Sequence, residues 1–133
     1  MAWEVRDLSR RRRGPATVVT TPDGLRTALT RYKDMPPRVV SVGAVGGGYL
    51  QVGIGGPWAF VEYCQDEPWR SEAAVPDDDW LTTEPPDELA FACGGESSEI
   101  PGEYLMPVAR AVSLVVKAMR AGKLPETVEW ELQ

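Results

Sequence analysis

Three apolar segments separated by two glycine clusters, at residues 39–44, 49–54 and 58–63, constrain the fold more than anything else in this chain. Each reads as a strand. In the second, Leu50, Val52 and Ile54 alternate with Tyr49, Gln51 and Gly53, the period-two pattern of a half-buried strand. Gly46-Gly47-Gly48 and Gly55-Gly56-Pro57 supply the turns. Links this short join antiparallel neighbours, so the three strands are expected to form a meander.

The flanks add helices and further strands. Residues 16–20 are a short β-branched run, a candidate strand. Thr21-Pro22-Asp23 is a helix start: Thr caps, Pro suits the first helical position, and Asp favours the positive end of the dipole. Leu25, Ala28, Leu29 and Tyr32 follow at helical spacing, and Pro36-Pro37 ends the helix. Pro107 opens the longest helix, with Val108, Ala111, Val112, Val115 and Met119 as its buried stripe. Lys117 and Arg120 lie in its last turns and Gly122 is its C-cap. Residues 88–93 form another candidate strand, broken by Gly94-Gly95. Residues 127–132 close the chain as a strand with Val128, Trp130 and Leu132 on one face.

Residues 1–14 are expected to be loosely ordered, and residues 66–87, with four prolines, to be the least regular segment. The fold class that follows is α+β: one domain over residues 15–133, a mainly antiparallel or mixed sheet with two helices packed on it. The 133 residues and a 43 % hydrophobic content suffice for a core without metals or disulfides.

The chain contains no histidine. That removes Ser-His-Asp and Cys-His nucleophile pairs and every His ligand for zinc. Cys64 and Cys93 are too few for a disulfide framework and read most simply as free, buried thiols. No apolar run reaches the roughly 20 residues of a membrane helix, and no apolar segment follows the basic run at 10–13. No signal peptide, and no secretion by that route, is the expectation.

The net charge of −6 is unevenly spread. Residues 62–103 carry thirteen acids and one base, Arg70, whereas residues 1–61 carry nine bases and four acids. The acidic block repels nucleic acid and favours a basic protein partner. A solvated loop surface is the other reading of it. The arginines at 10–13 read as a flexible, solvated stretch.

Other constellations argue against catalysis, a metal or a cofactor. The glycines at 43–56 lie between strands, whereas a phosphate-binding loop places them between a strand and a helix. Asp77-Asp78-Asp79 lacks the alternate ligand spacing and the glycine of a calcium loop. Glu96 and Glu99 could pair for acid–base work, but no pocket-forming pattern surrounds them.

Three stretches, in order, carry a resemblance. The first is Leu50-Gln51-Val52-Gly53-Ile54-Gly55-Gly56-Pro57 with Phe60-Val61-Glu62-Tyr63. The second is Ser98-Glu99-Ile100-Pro101 leading to Met106-Pro107. The third is Gly122-Lys123-Leu124-Pro125 leading to Val128-Glu129-Trp130-Glu131. Together they resemble the bacterial polymorphic-toxin immunity proteins of immunity family one. The resemblance covers residues 49–133, and the segment 64–97 departs most from it. It implies a cytoplasmic inhibitor that binds a partner toxin tightly, often a nucleic-acid-directed toxin such as a deaminase. The acidic block would then meet the toxin's basic face. The contact set expected on that basis is Asp66, Glu67, Trp69, Asp77, Asp78, Asp79, Trp80 and Glu84. Without the resemblance, the same residues fit a small-ligand or scaffold binding domain with no toxin partner.

Overall fold

The computed structural model describes residues 2–12 and 14–133. Arg13, part of the arginine run, lies outside the described residues. The strands are β1 (Trp3–Asp7), β2 (Thr17–Val19), β3 (Arg38–Val45), β4 (Gly48–Ile54), β5 (Trp58–Asp66), β6 (Trp69–Val75), β7 (Glu88–Cys93), β8 (Glu96–Pro101), β9 (Met106–Pro107) and β10 (Glu129–Leu132). The helices are α1 (Pro22–Thr30), continued by a 3-10 turn at Arg31–Asp34, and α2 (Val108–Ala121).

The meander forms as the glycine spacing dictates. Val40 pairs with Val52, and Val52 with Val61, in consecutive antiparallel ladders. The sheet extends outward from it in the order β10-β6-β5-β4-β3-β1-β2, with the β7–β8 hairpin and β9 branching off this path. Neighbours are antiparallel except at one contact, Arg38 with Ala92.

Side chains alternate across this sheet, and both helices cover a single face. Trp3 and Val5, Val40 and Val42, Leu50 and Val52, Val61 and Tyr63, and Ala74 join Leu25, Leu29, Val112, Val115 and Met119 in the main core. Leu25, Leu29, Leu50 and Val115 are wholly buried, each contributing about 1.5–3 kcal/mol of hydrophobic stabilisation. The Thr21 side chain accepts from the Gly24 amide at 3.0 Å, capping α1. Gly122 stops α2 in the left-handed region at φ 73°, a conformation few other residues adopt without strain.

On the opposite face the β7–β8 hairpin covers only one end. Phe91, wholly buried, meets Phe60 edge to face with ring centroids 5.0 Å apart, and Val39 and Leu105 complete this second core. Gly53 makes the approach possible, because a Cβ there would lie 2.0 Å from the Phe60 ring.

Two expectations are corrected, and one strand is added. Trp3–Asp7 is not loosely ordered: it is a strand between β2 and β3, with Trp3 and Val5 buried. Residues 66–87 are not irregular throughout, because Trp69–Val75 bridges β5 and β10 as β6. The added strand follows Gly94-Gly95: β8 is six residues long and paired along its whole length with β7.

Candidate functional site

The eight residues expected to form one contact surface fall into two groups at opposite ends of β6. That strand is seven residues long, about 20 Å at the ~3.3 Å rise per residue of a strand.

The first group crowns the β5–β6 hairpin. Asp66 pairs with Trp69 as the last rung of the ladder, and Glu67 lies in the turn. Trp69 is 67 % exposed. Directly opposed residues share a face, so Asp66 and Trp69 lie with Cys64, Ser71 and Glu62 on the helix-free side. There Glu4 and Arg6 of β1, Ser41 and Gly43 of β3, Tyr49 and Gln51 of β4, Leu8 and Asp66 line a polar concavity of about 260 Å³. A neighbouring hollow of about 630 Å³ shares Glu4, Gly43, Tyr49 and Asp66 and extends to Glu67. Glu4, Tyr49 and Gln51 were missed in the sequence. Their partial signal was the alternation in 3–6 and 49–54, which places them together on one face.

The second group follows β6. Asp77 Oδ1 accepts from the Asp79 amide at 3.0 Å, starting a 3-10 turn at Asp78–Trp80. Trp80 is partly buried and packs against the main core. The Arg110 guanidinium of α2 stands over its ring, 5.4 Å from the centroid. Trp80 therefore tacks the loop to the body of the protein. Asp78 and Glu84 line a groove of about 570 Å³ with Asp87 and Glu103. Its apolar lining includes Val75, Pro76, Leu81, Pro85, Pro86 and Pro101, and no base lines it. The Gly102 amide donates to the Asp87 carbonyl at 2.7 Å and holds the proline loop against the turn after β8. Asp87 and Glu103 reach this groove through the fold, 16 residues apart in sequence.

Arg70, the one base of the acidic block, is bonded to Glu72 at 2.9 Å. On the helix side α2 contains no acid, and Arg26, Lys117 and Arg120 line a groove of about 320 Å³ with Ser113.

Neither thiol is poised for nucleophilic work. Both cysteines are free. Burial, then the charge of Glu62, pushes the Cys64 thiol up to about 12. Burial and Glu62 also raise that of Cys93. A thiol held protonated is a poor nucleophile and a poor ligand. Among the described residues no group of three His, Cys, Asp or Glu side chains is placed to hold a metal ion. No described helix is long and apolar enough to cross a membrane.

Comparison with known proteins gave no match among curated proteins and none among solved structures. The family model of the immunity protein Imm1 matches residues 13–132. That span holds both helices, nine of the ten strands found among the described residues, and all eight residues of the expected contact set. The chain therefore belongs to the Imm1 family of immunity proteins.

Proposed function

We propose that this protein acts in the cytoplasm as the inhibitor of a nucleic-acid-directed toxin, a cytidine deaminase in the first instance. It lays its acidic, helix-free surface over the toxin's basic substrate face. Family membership supplies the toxin partner. The observation that carries the choice of surface is the β5–β6 tip, where Asp66 and Glu67 flank a tryptophan that is 67 % exposed. Interface energy concentrates in large aromatics set within complementary charge. An enzyme acting on DNA or RNA carries a basic face for phosphates. Carboxylates at that face occupy phosphate positions and exclude substrate without any chemistry by the inhibitor. Asp77, Asp78, Asp79 and Glu84, some 20 Å away along β6, form a second acidic contact that a large toxin face can reach.

The test is to purify the chain with the toxin domain encoded beside it, and to compare wild type with Asp66→Lys/Glu67→Lys and with Asp77→Lys/Asp78→Lys/Asp79→Lys. Wild type should inhibit deamination of an oligonucleotide at one-to-one stoichiometry. The Asp66/Glu67 reversal should slow association about tenfold or more and flatten its salt dependence. A toxin left fully active and unassociated in the presence of wild type would overturn the function. Unaltered kinetics for the Asp66/Glu67 variant would overturn the placement of the interface.

A further inference from the structure

The arginine run that the acidic surface does not use has a place of its own in the fold. The chain is held at Leu8 and Ser9 and again at Gly14. The Gly94 amide donates to the Leu8 carbonyl at 2.7 Å, and the Gly95 amide to the Ser9 carbonyl at 3.0 Å. Arg6 Nη1 donates to the Gly14 carbonyl at 2.7 Å. These bonds strap the chain on either side of Arg10, Arg11 and Arg12, whose side chains are exposed.

The strap brings Arg10 and Arg12 to the end of α1, where Arg31 stands 5.4 Å above the Tyr32 ring. These three arginines line one concavity of about 270 Å³ with Asp7, Gly14, Pro15, Thr17, Tyr32 and Met35. Asp7, the single acid in the lining, is already engaged: it accepts from Arg38 Nη1 at 2.8 Å and from the Ser9 amide at 2.8 Å. Among the described residues, neither Arg10 nor Arg12 is paired with a carboxylate. Arg31 has a reason of its own to follow α1, since a cation is favoured at a helix C-terminus. That reason does not extend to Arg10 and Arg12, which come from another segment.

We propose that this pocket binds a small phosphate-bearing ligand, with Arg10, Arg12 and Arg31 holding the phosphate. A carboxylate is flat and is saturated by one guanidinium fork. A phosphate offers three acceptor oxygens in a tetrahedral array and close to two charges, which suits guanidiniums arriving from separate segments. The Thr17 hydroxyl adds a donor. Met35, 39 % exposed, and Pro15 give an apolar wall for the body of an ester. The volume lies just below the roughly 300–1,000 Å³ usual for small-molecule sites, in keeping with a small ligand. The distant acids do not cancel the site, because at physiological salt charges beyond about 8 Å are largely screened. The site is independent of toxin binding.

The experiment is calorimetric titration of the full chain, at constant ionic strength, with inorganic phosphate, with adenosine monophosphate and with adenosine. One-to-one, saturable binding of a phosphate-bearing probe with a dissociation constant below about 1 mM is expected, and no heat from adenosine. Tighter binding of the monophosphate would assign the site to a phosphate ester; equal binding would assign it to free phosphate. Arg10→Ser/Arg12→Ser changes only exposed side chains, so the fold is retained, and binding should weaken about tenfold or more. Arg26→Ser/Arg120→Ser, in the groove between the helices, should leave it unchanged. Failure of both phosphate probes to bind, or binding indifferent to the Arg10/Arg12 change, overturns the proposal.

Discussion

Trp69 and Trp80, eleven residues apart and alike in sequence context, should respond to truncation in opposite ways. A tryptophan presents about 150–250 Å² for burial. With Trp69 67 % exposed, roughly 100–170 Å² of it is free for a partner to cover. At about 25 cal/mol per Å² that is about 2.5–4 kcal/mol, or roughly seventyfold to a thousandfold in toxin dissociation constant. The same exposure means that Trp69→Ala removes little from the free fold, about 0.5 kcal/mol or less. Trp80 is partly buried against the main core beneath Arg110. Its removal forfeits that packing and a cation–π contact, together about 2–3 kcal/mol of folding stability. Urea unfolding followed by circular dichroism reads the stability, and calorimetry with the toxin domain reads the affinity. The expected result is a double dissociation, with Trp69→Ala folded normally and binding weakly, and Trp80→Ala unfolding early. A Trp69→Ala protein that binds the toxin within about twofold of wild type would refute the anchor. A Trp80→Ala protein with an unchanged urea midpoint would refute the assignment of Trp80 to structure.

Phe91→Ala should cost about 3–5 kcal/mol in urea unfolding, because the ring is wholly buried and closes the second core against Phe60; a loss under about 1 kcal/mol would mean that the hairpin contributes little to the fold. Burial of Asp7 opposes its ionisation, but bonds from the Ser9 amide and hydroxyl and from Arg38 outweigh it and hold the carboxyl below its usual 3.8. A depressed folded value stabilises the protein above the unfolded pKa and loses that contribution as pH falls through the folded one. Asp7→Asn should therefore be less stable than wild type at neutral pH and show a shallower loss below about pH 4, measured as urea midpoint against pH; parallel acid limbs would show that Asp7 does not contribute.

What the sequence alone determined is what depends on neighbours along the chain. The meander was legible because glycine clusters and alternating Leu50, Val52 and Ile54 act within a few residues of each other. The two helices were legible because Thr21-Pro22, the Pro107 start and Gly122 are local signals. The excess of acid in 62–103, and the absence of histidine, bounded the function before any fold was known. Tertiary structure decided what depends on partners. β6 contains Ser71, Ala73 and Ala74, too small to announce a strand, and is one because β5 and β10 take up its backbone groups. β8 is largely polar and owes its form to the ladder with β7. β1 alternates Trp3 and Val5 with Glu4 and Arg6, but the arginines that follow masked it. The fold alone separated Trp69 from Trp80, gathered Asp87 and Glu103 into one groove, and set Arg31 beside Arg10 and Arg12. Periodicity and turn chemistry act over a few residues, whereas which side chains share a surface is set by strand order and by the face the helices cover, and both are properties of the packed sheet.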